Sequence, residues 1–94
     1  MHIEFDTHKN DTNILDRGLS FERVANFEFD TAVFKQDTWR DYGEIRIRAL
    51  GYLDGRLHAL VFTETAQGIR VISFRKANKR EVLAYEQETQ TRTD

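Results

Sequence analysis

The residues best suited to chemistry gather in one stretch, residues 69–85, IRVISFRKANKREVLAY. Five cations (Arg70, Arg75, Lys76, Lys79 and Arg80) fall in residues 69–80 with no acid among them, on a chain whose formal net charge is only -2. Positive charge concentrated locally on a slightly acidic chain makes a place to hold phosphate. The stretch reads as an apolar strand, a basic turn and a capped helix that carries Tyr85. Upstream, Glu44, Arg46 and Arg48 alternate with apolar residues and add charged groups on one side of a second strand. Other chemistries find no support. There is no cysteine, which removes disulfides, thiolate nucleophiles and cysteine zinc sites. His2, His8 and His58 are scattered without metal-ligand spacing. No phosphate-binding glycine loop or dinucleotide fingerprint occurs, and no serine sits in a strained strand-to-helix elbow.

The elements that must position these groups follow from pattern and capping. His2–Phe5 alternates and is expected to be an edge strand. Asp6 caps a helix from Thr7 to about Arg17, which Gly18 stops in the left-handed conformation. A second helix is expected from Ser20, with Phe21, Val24 and Ala25 forming its core stripe and Phe27 and Phe29 packing beneath a sheet. Thr31–Lys35 reads as a strand and 36–43 as a turn-like loop. In that loop Trp39 and Tyr42 either cover the core edge or offer a stacking or docking surface.

Glu44–Leu53 alternates cleanly into Asp54-Gly55, the strongest hairpin signal in the chain. A two-residue turn there pairs Leu53 with Arg56 and brings Arg46 opposite Thr63. Ile45, Ile47, Ala49, Leu60 and Phe62 then form a core face, with Glu44, Arg46, Arg48, Val61 and Thr63 on the other. A third antiparallel strand, Ile69–Arg75, places Arg70 with Arg46 in the simplest register, an assignment that a one-residue slip reverses. Asn78 and Glu81 form a capping box for the last helix, in which Val82 and Tyr85 share a face. The expected fold is α+β: two N-terminal helices on a three- to four-stranded antiparallel sheet, closed by a C-terminal helix.

The chain has 94 residues, 39% of them apolar and seven of them Phe, which suits a single core and excludes general disorder. Residues 1–87 are expected to form one domain and 88–94 a polar tail. No apolar run approaches the ~18 residues of a membrane span. With no signal-like opening, the expected compartment is the cytoplasm. No metal or other cofactor is expected.

The order of these features resembles the BrnT family of toxins. The likeness is carried near the start by Phe5, Asp6, Lys9, Asn13, Gly18, Ser20 and Phe21. Glu44, Arg46, Gly51 and the strand end Phe62-Thr63-Glu64 continue it, and Ser73, Arg75, Ala77, Arg80, Glu81 and Tyr85 close it. It covers roughly residues 3–86. The resemblance implies a RelE-like fold and a metal-independent endoribonuclease that inhibits translation. It also implies a cognate antitoxin with a ribbon-helix-helix DNA-binding domain, a heterotetramer, and contact with operator DNA only through that antitoxin.

Cleavage at a ribose 2′-hydroxyl needs a base, cations to stabilise the crowded phosphorane, and an acid for the leaving oxygen. The candidate catalytic residues are Lys9, Glu44, Arg46, Arg75 and Tyr85; those for substrate binding are Arg17, Arg48, Arg70, Lys79 and Arg80. Arginine suits the cationic role through its planar donor fork. Glu44 acts as base or orients an arginine, and Tyr85 donates a proton, stacks on a base or fills the core. Glu81 reads as a cap alone. One position departs from the family: Asp16-Arg17-Gly18 stands where Lys-His-Gly is common, and arginine cannot shuttle protons near neutral pH. That departure keeps a second reading open, a non-catalytic module whose basic corner docks RNA or a protein.

Overall fold

The computed structural model describes residues 1–90. Its elements are β1 (His2–Phe5), α1 (Thr7–Arg17), two 3-10 turns (Phe21–Asn26 and Phe29–Thr31), β2 (Val33–Gln36), β3 (Ile47–Leu53), β4 (Arg56–Glu64), β5 (Gly68–Lys76) and α2 (Lys79–Gln90). The strands form one five-stranded sheet in the order β1-β5-β4-β3-β2. The α+β class holds, but the sheet is larger than expected and is mixed, because β1 lies parallel to β5. The remaining pairs are antiparallel. Ile3 and Phe5 explain the extra strand: both pack against the main core, which is reached by laying β1 along the outer edge of β5.

Local chemistry sets the boundaries. The Asp6 carboxylate accepts from the Lys9 N–H at 3.1 Å to start α1, and Gly18 ends it at φ 65°. The second helix is a 3-10 turn rather than an α-helix, capped by Ser20 and ended at Phe27. Its three residues per turn put Phe21, Val24 and Phe27 on one buried face, while Ala25, expected in that stripe, is exposed. Asp54 and Gly55 both take positive φ, as the tight hairpin between β3 and β4 requires. Gly51 is also obligatory, since a Cβ there would meet Phe27 Cζ at 2.6 Å. The last helix runs to Gln90, further than expected for a tail from 88, and residues 91–94 of that tail lie outside the described residues.

The two faces of the sheet are unequal. One packs Ala49, Leu60, Phe62, Val71 and Phe74 against the 3-10 turns to make the main core. On the other, α2 covers one end only, through Tyr85 and Val82 against Leu57, Leu50 and Tyr52. Ile45 is not part of the core face: β3 begins at Ile47, and Ile45 precedes it with 63% of its surface exposed.

A bulge decides what the open part of that second face carries. Val61 pairs with Ser73, yet the next residue, Phe62, pairs with Val71, so Ile72 is the extra residue. An extra residue inverts the in-out alternation of a strand. Even-numbered Arg70 and odd-numbered Ser73 and Arg75 therefore lie on the same face.

Candidate functional site

Four arginines share the half-open face, and two carboxylates accept hydrogen bonds from three of them. At one end Glu44 accepts from Arg46 Nε at 2.9 Å and from Arg70 Nη2 at 2.7 Å. Both guanidiniums hold its carboxyl below the usual carboxylate range, Arg46 contributing most. Arg46 also lies over the Tyr42 ring, 4.1 Å from its centroid. Lys9 borders the same concavity with Arg46 and Arg70, because Asp6 starts α1 just above the end of β1 and places the first helical turn there.

At the other end Glu81 accepts two bonds from Arg75, Nη1 at 2.8 Å and Nη2 at 3.0 Å, in a bidentate fork. It also accepts from the Asn78 N–H at 2.9 Å while Asn78 Oδ1 accepts from its own N–H, completing the capping box. Arg48 approaches the same carboxylate at 3.8 Å. Hydrogen bonding to Arg75 lowers the Glu81 pKa and raises that of Arg75. Four guanidiniums on two carboxylates leave a positive surplus on this face. Arg70 stands opposite Thr63 and Arg75 opposite Ala59. Those partners are four positions apart on β4, roughly 13 Å at the ~3.3 Å rise of a strand.

Between α2 and the sheet lies a groove of about 500 Å³. Leu50, Ala59, Val61 and Ser73 line it from the sheet, Arg48 and Arg75 from the same face, and Arg80 from the first turn of α2. Tyr85 closes its inner wall. The tyrosine is buried, edge-on to Tyr52, and donates its hydroxyl to the Thr31 carbonyl at 2.8 Å.

The fold thus brings together Lys9, Glu44, Arg46 and Arg70 at one end, and Arg48, Arg75, Arg80 and Tyr85 at the other. It does not bring in Arg17 or Lys79. Arg17 lies eight residues past Lys9, roughly 12 Å along α1 at ~1.5 Å per residue, and borders neither concavity. Lys79 faces a separate shallow hollow with Asn78 and Leu83. Sequence reasoning missed Glu81 as an arginine partner, since its place in a capping box already accounted for it. A carboxylate six residues past a strand arginine, across a tight corner, was the available signal. Trp39 does not cover the core edge: it is 77% exposed, with the Arg40 guanidinium 4.4 Å from its ring centroid.

Among the described residues no three His, Cys, Asp or Glu side chains converge as metal ligands, and no helix is long and apolar enough to cross a membrane. No curated protein and no solved structure matches the chain. A family model described as the ribonuclease toxin, BrnT, of type II toxin–antitoxin systems matches residues 5–81. That span runs from the end of β1 to Glu81 and so contains both arginine–carboxylate clusters. The chain belongs to the BrnT family of ribonuclease toxins of type II toxin–antitoxin systems.

Proposed function

We propose that this toxin is a metal-independent endoribonuclease whose arginine face cleaves RNA through the RNA's own 2′-hydroxyl, and so inhibits translation. The observation that carries the reading is the convergence of Arg46, Arg48, Arg70 and Arg75 on one open sheet face, three of them hydrogen-bonded to a carboxylate and Arg48 3.8 Å from one. The 2′-hydroxyl loses its proton to solvent water and attacks the adjacent phosphorus; the crowded phosphorane then expels the 5′-oxygen, which takes a proton from water, leaving a 2′,3′-cyclic phosphate and a 5′-hydroxyl. Preorganised guanidiniums stabilise that developing charge without reorganising at the moment of reaction. Lys9 adds charge beside Arg46 and Arg70. Glu44 orients its two arginines, with both of its oxygens accepting from guanidiniums. Tyr85 supports the groove wall, its hydroxyl already donated.

In this reading the cognate antitoxin, through acidic or apolar segments, covers the arginine face and excludes RNA by occupancy and charge competition. It binds operator DNA through a ribbon-helix-helix domain, in a cytoplasmic heterotetramer. The test is to incubate antitoxin-free protein with RNA in a metal chelator and identify the product ends. Cleavage leaving 5′-hydroxyl ends, and abolished by a 2′-deoxy substitution at the cut nucleotide, supports the reading. Cleavage that persists at the 2′-deoxy position contradicts it.

A second reading, a docking module without catalysis, is favoured by one observation: the carboxylates and the tyrosine hydroxyl nearest the arginines are all engaged. Loss of Arg46 and Arg75 separates the two readings. A nuclease loses toxicity and keeps its antitoxin, whereas a docking module loses its partner.

A further inference from the structure

We infer that the groove between α2 and the sheet takes an unpaired nucleotide of single-stranded RNA, its base stacked on Trp39 and its phosphates met by Arg48 and Arg80. The inference rests on the ribonuclease reading and names the substrate class for that site.

Trp39 is the single tryptophan of the chain. Its indole borders the groove and is 77% exposed, so it contributes little to the core. A large aromatic surface left in water beside an apolar, cation-rimmed groove suits a base, because every base presents a π-face. Nor is the ring on a loose loop. The Asp37 carboxylate accepts from the backbone N–H of Trp39 at 3.2 Å and from the Tyr42 hydroxyl at 3.2 Å. The Asp37 N–H in turn donates to the Arg46 carbonyl at 2.8 Å, and Arg46 lies over Tyr42. The stacking platform is therefore tied to the arginine face. Arg40 over the indole adds a guanidinium that can meet a neighbouring phosphate.

Charge alone does not define the groove. Glu81 is neutralised by Arg75, and Asp37 and Glu88 also border it, so the cations Lys35, Arg48, Arg75 and Arg80 only slightly outnumber the acids. Stacking supplies the remaining recognition. Size decides for a single strand: about 500 Å³ suits a single small organic group, with α2 as one wall. Double-stranded RNA is read instead across its wide minor groove, by shape, which a walled slot does not match.

The experiment uses the full chain and a short 2′-O-methyl RNA, which has no free 2′-hydroxyl and so reports binding without cleavage. Trp39 fluorescence is followed beside the anisotropy of labelled RNA. Single strands are expected to quench the fluorescence on binding, while a duplex of the same composition leaves it unchanged. Trp39→Ala is expected to weaken single-strand binding about tenfold, the order of a base–aromatic stack, with Trp39→Phe restoring most of it. Equal quenching by the duplex, or unchanged binding by Trp39→Ala, overturns the inference while leaving the nuclease in place if RNA is still cut. If the parent neither binds nor cuts RNA, the ribonuclease reading falls and this inference with it.

Discussion

Glu81 joins the fold to the site, and replacing it separates those roles. Its side chain is only 12% exposed, forks with Arg75, stands 3.8 Å from Arg48 and closes the capping box with Asn78. Glu81→Gln retains an oxygen for the Asn78 N–H and loses the charge. Glu81→Ala loses both and leaves Arg75 with only the Lys76 carbonyl at 3.3 Å as acceptor. The capping contribution is about 1 kcal/mol. A partly buried, charge-assisted pair contributes about 1–2 kcal/mol, discounted for the exposure of Arg75. Glu81→Ala is therefore expected to destabilise the chain by about 2–3 kcal/mol and Glu81→Gln by about half that. At ~4–8 °C per kcal/mol for a domain of this size, the alanine variant melts about 8–24 °C below the parent. The pH dependence carries the sign. Arg75 depresses the Glu81 pKa below 4.5 in the folded state, so the stabilisation is fully present above 4.5 and is lost as pH falls through the folded value. The gap between parent and Glu81→Gln should narrow over that acid range in thermal melts followed by circular dichroism. A Glu81→Ala variant melting within a degree of the parent, or a gap that does not change with pH, refutes the reasoning.

Other perturbations give equally definite outcomes. Gly51→Ala drives a Cβ into Phe27 and Ala32 and should cost about 1–3 kcal/mol, read as a lower urea midpoint with an unchanged slope. Asn10→Ala removes the buried oxygen that accepts from the Phe21 N–H at 2.7 Å and should cost about 1–3 kcal/mol for the stranded donor, measured the same way. Burial lowers the His58 pKa from 6.5, so the unfolded chain takes up a proton before the folded one does. Stability should then fall as pH drops below 6.5, and His58→Leu should flatten that slope in denaturant titrations. Tyr85→Phe loses only the bond to the Thr31 carbonyl; it should melt lower by about 1 kcal/mol and cut RNA at close to the parent rate.

The sequence was most readable where local chemistry decides the outcome. The Asp6 cap, the Gly18 stop, the Asp54-Gly55 hairpin and the Asn78–Glu81 box all involve neighbours a few residues apart, and each lies where its residue types placed it. The ladder from Leu53–Arg56 followed from that hairpin in the expected register, though it ends at Ile47–Phe62 and does not extend to the expected Arg46–Thr63 pair. Long-range pairing was less readable. Nothing within His2–Phe5 says that its partner lies more than sixty residues away in parallel register. The bulge at Ile72 was also hidden, since the stretch around it is apolar on both sides of the alternation. Strict alternation carries Arg70 to one face and Arg75 to the other; the extra residue brings them together. Glu81 is the cap its spacing announced; its second role as the acceptor for Arg75 was hidden because both draw on the same carboxylate.

The most direct test of the central claim is the RNA cleavage rate of the antitoxin-free parent in chelator, beside Arg46→Ala and Arg75→Ala, each first shown to be folded by circular dichroism. If the arginine face stabilises the phosphorane, each variant should lose about 10²–10³-fold in rate, the magnitude seen when a preorganised donor is removed from a developing charge. Parent-like rates from both folded variants would contradict the account and move the chemistry off this face.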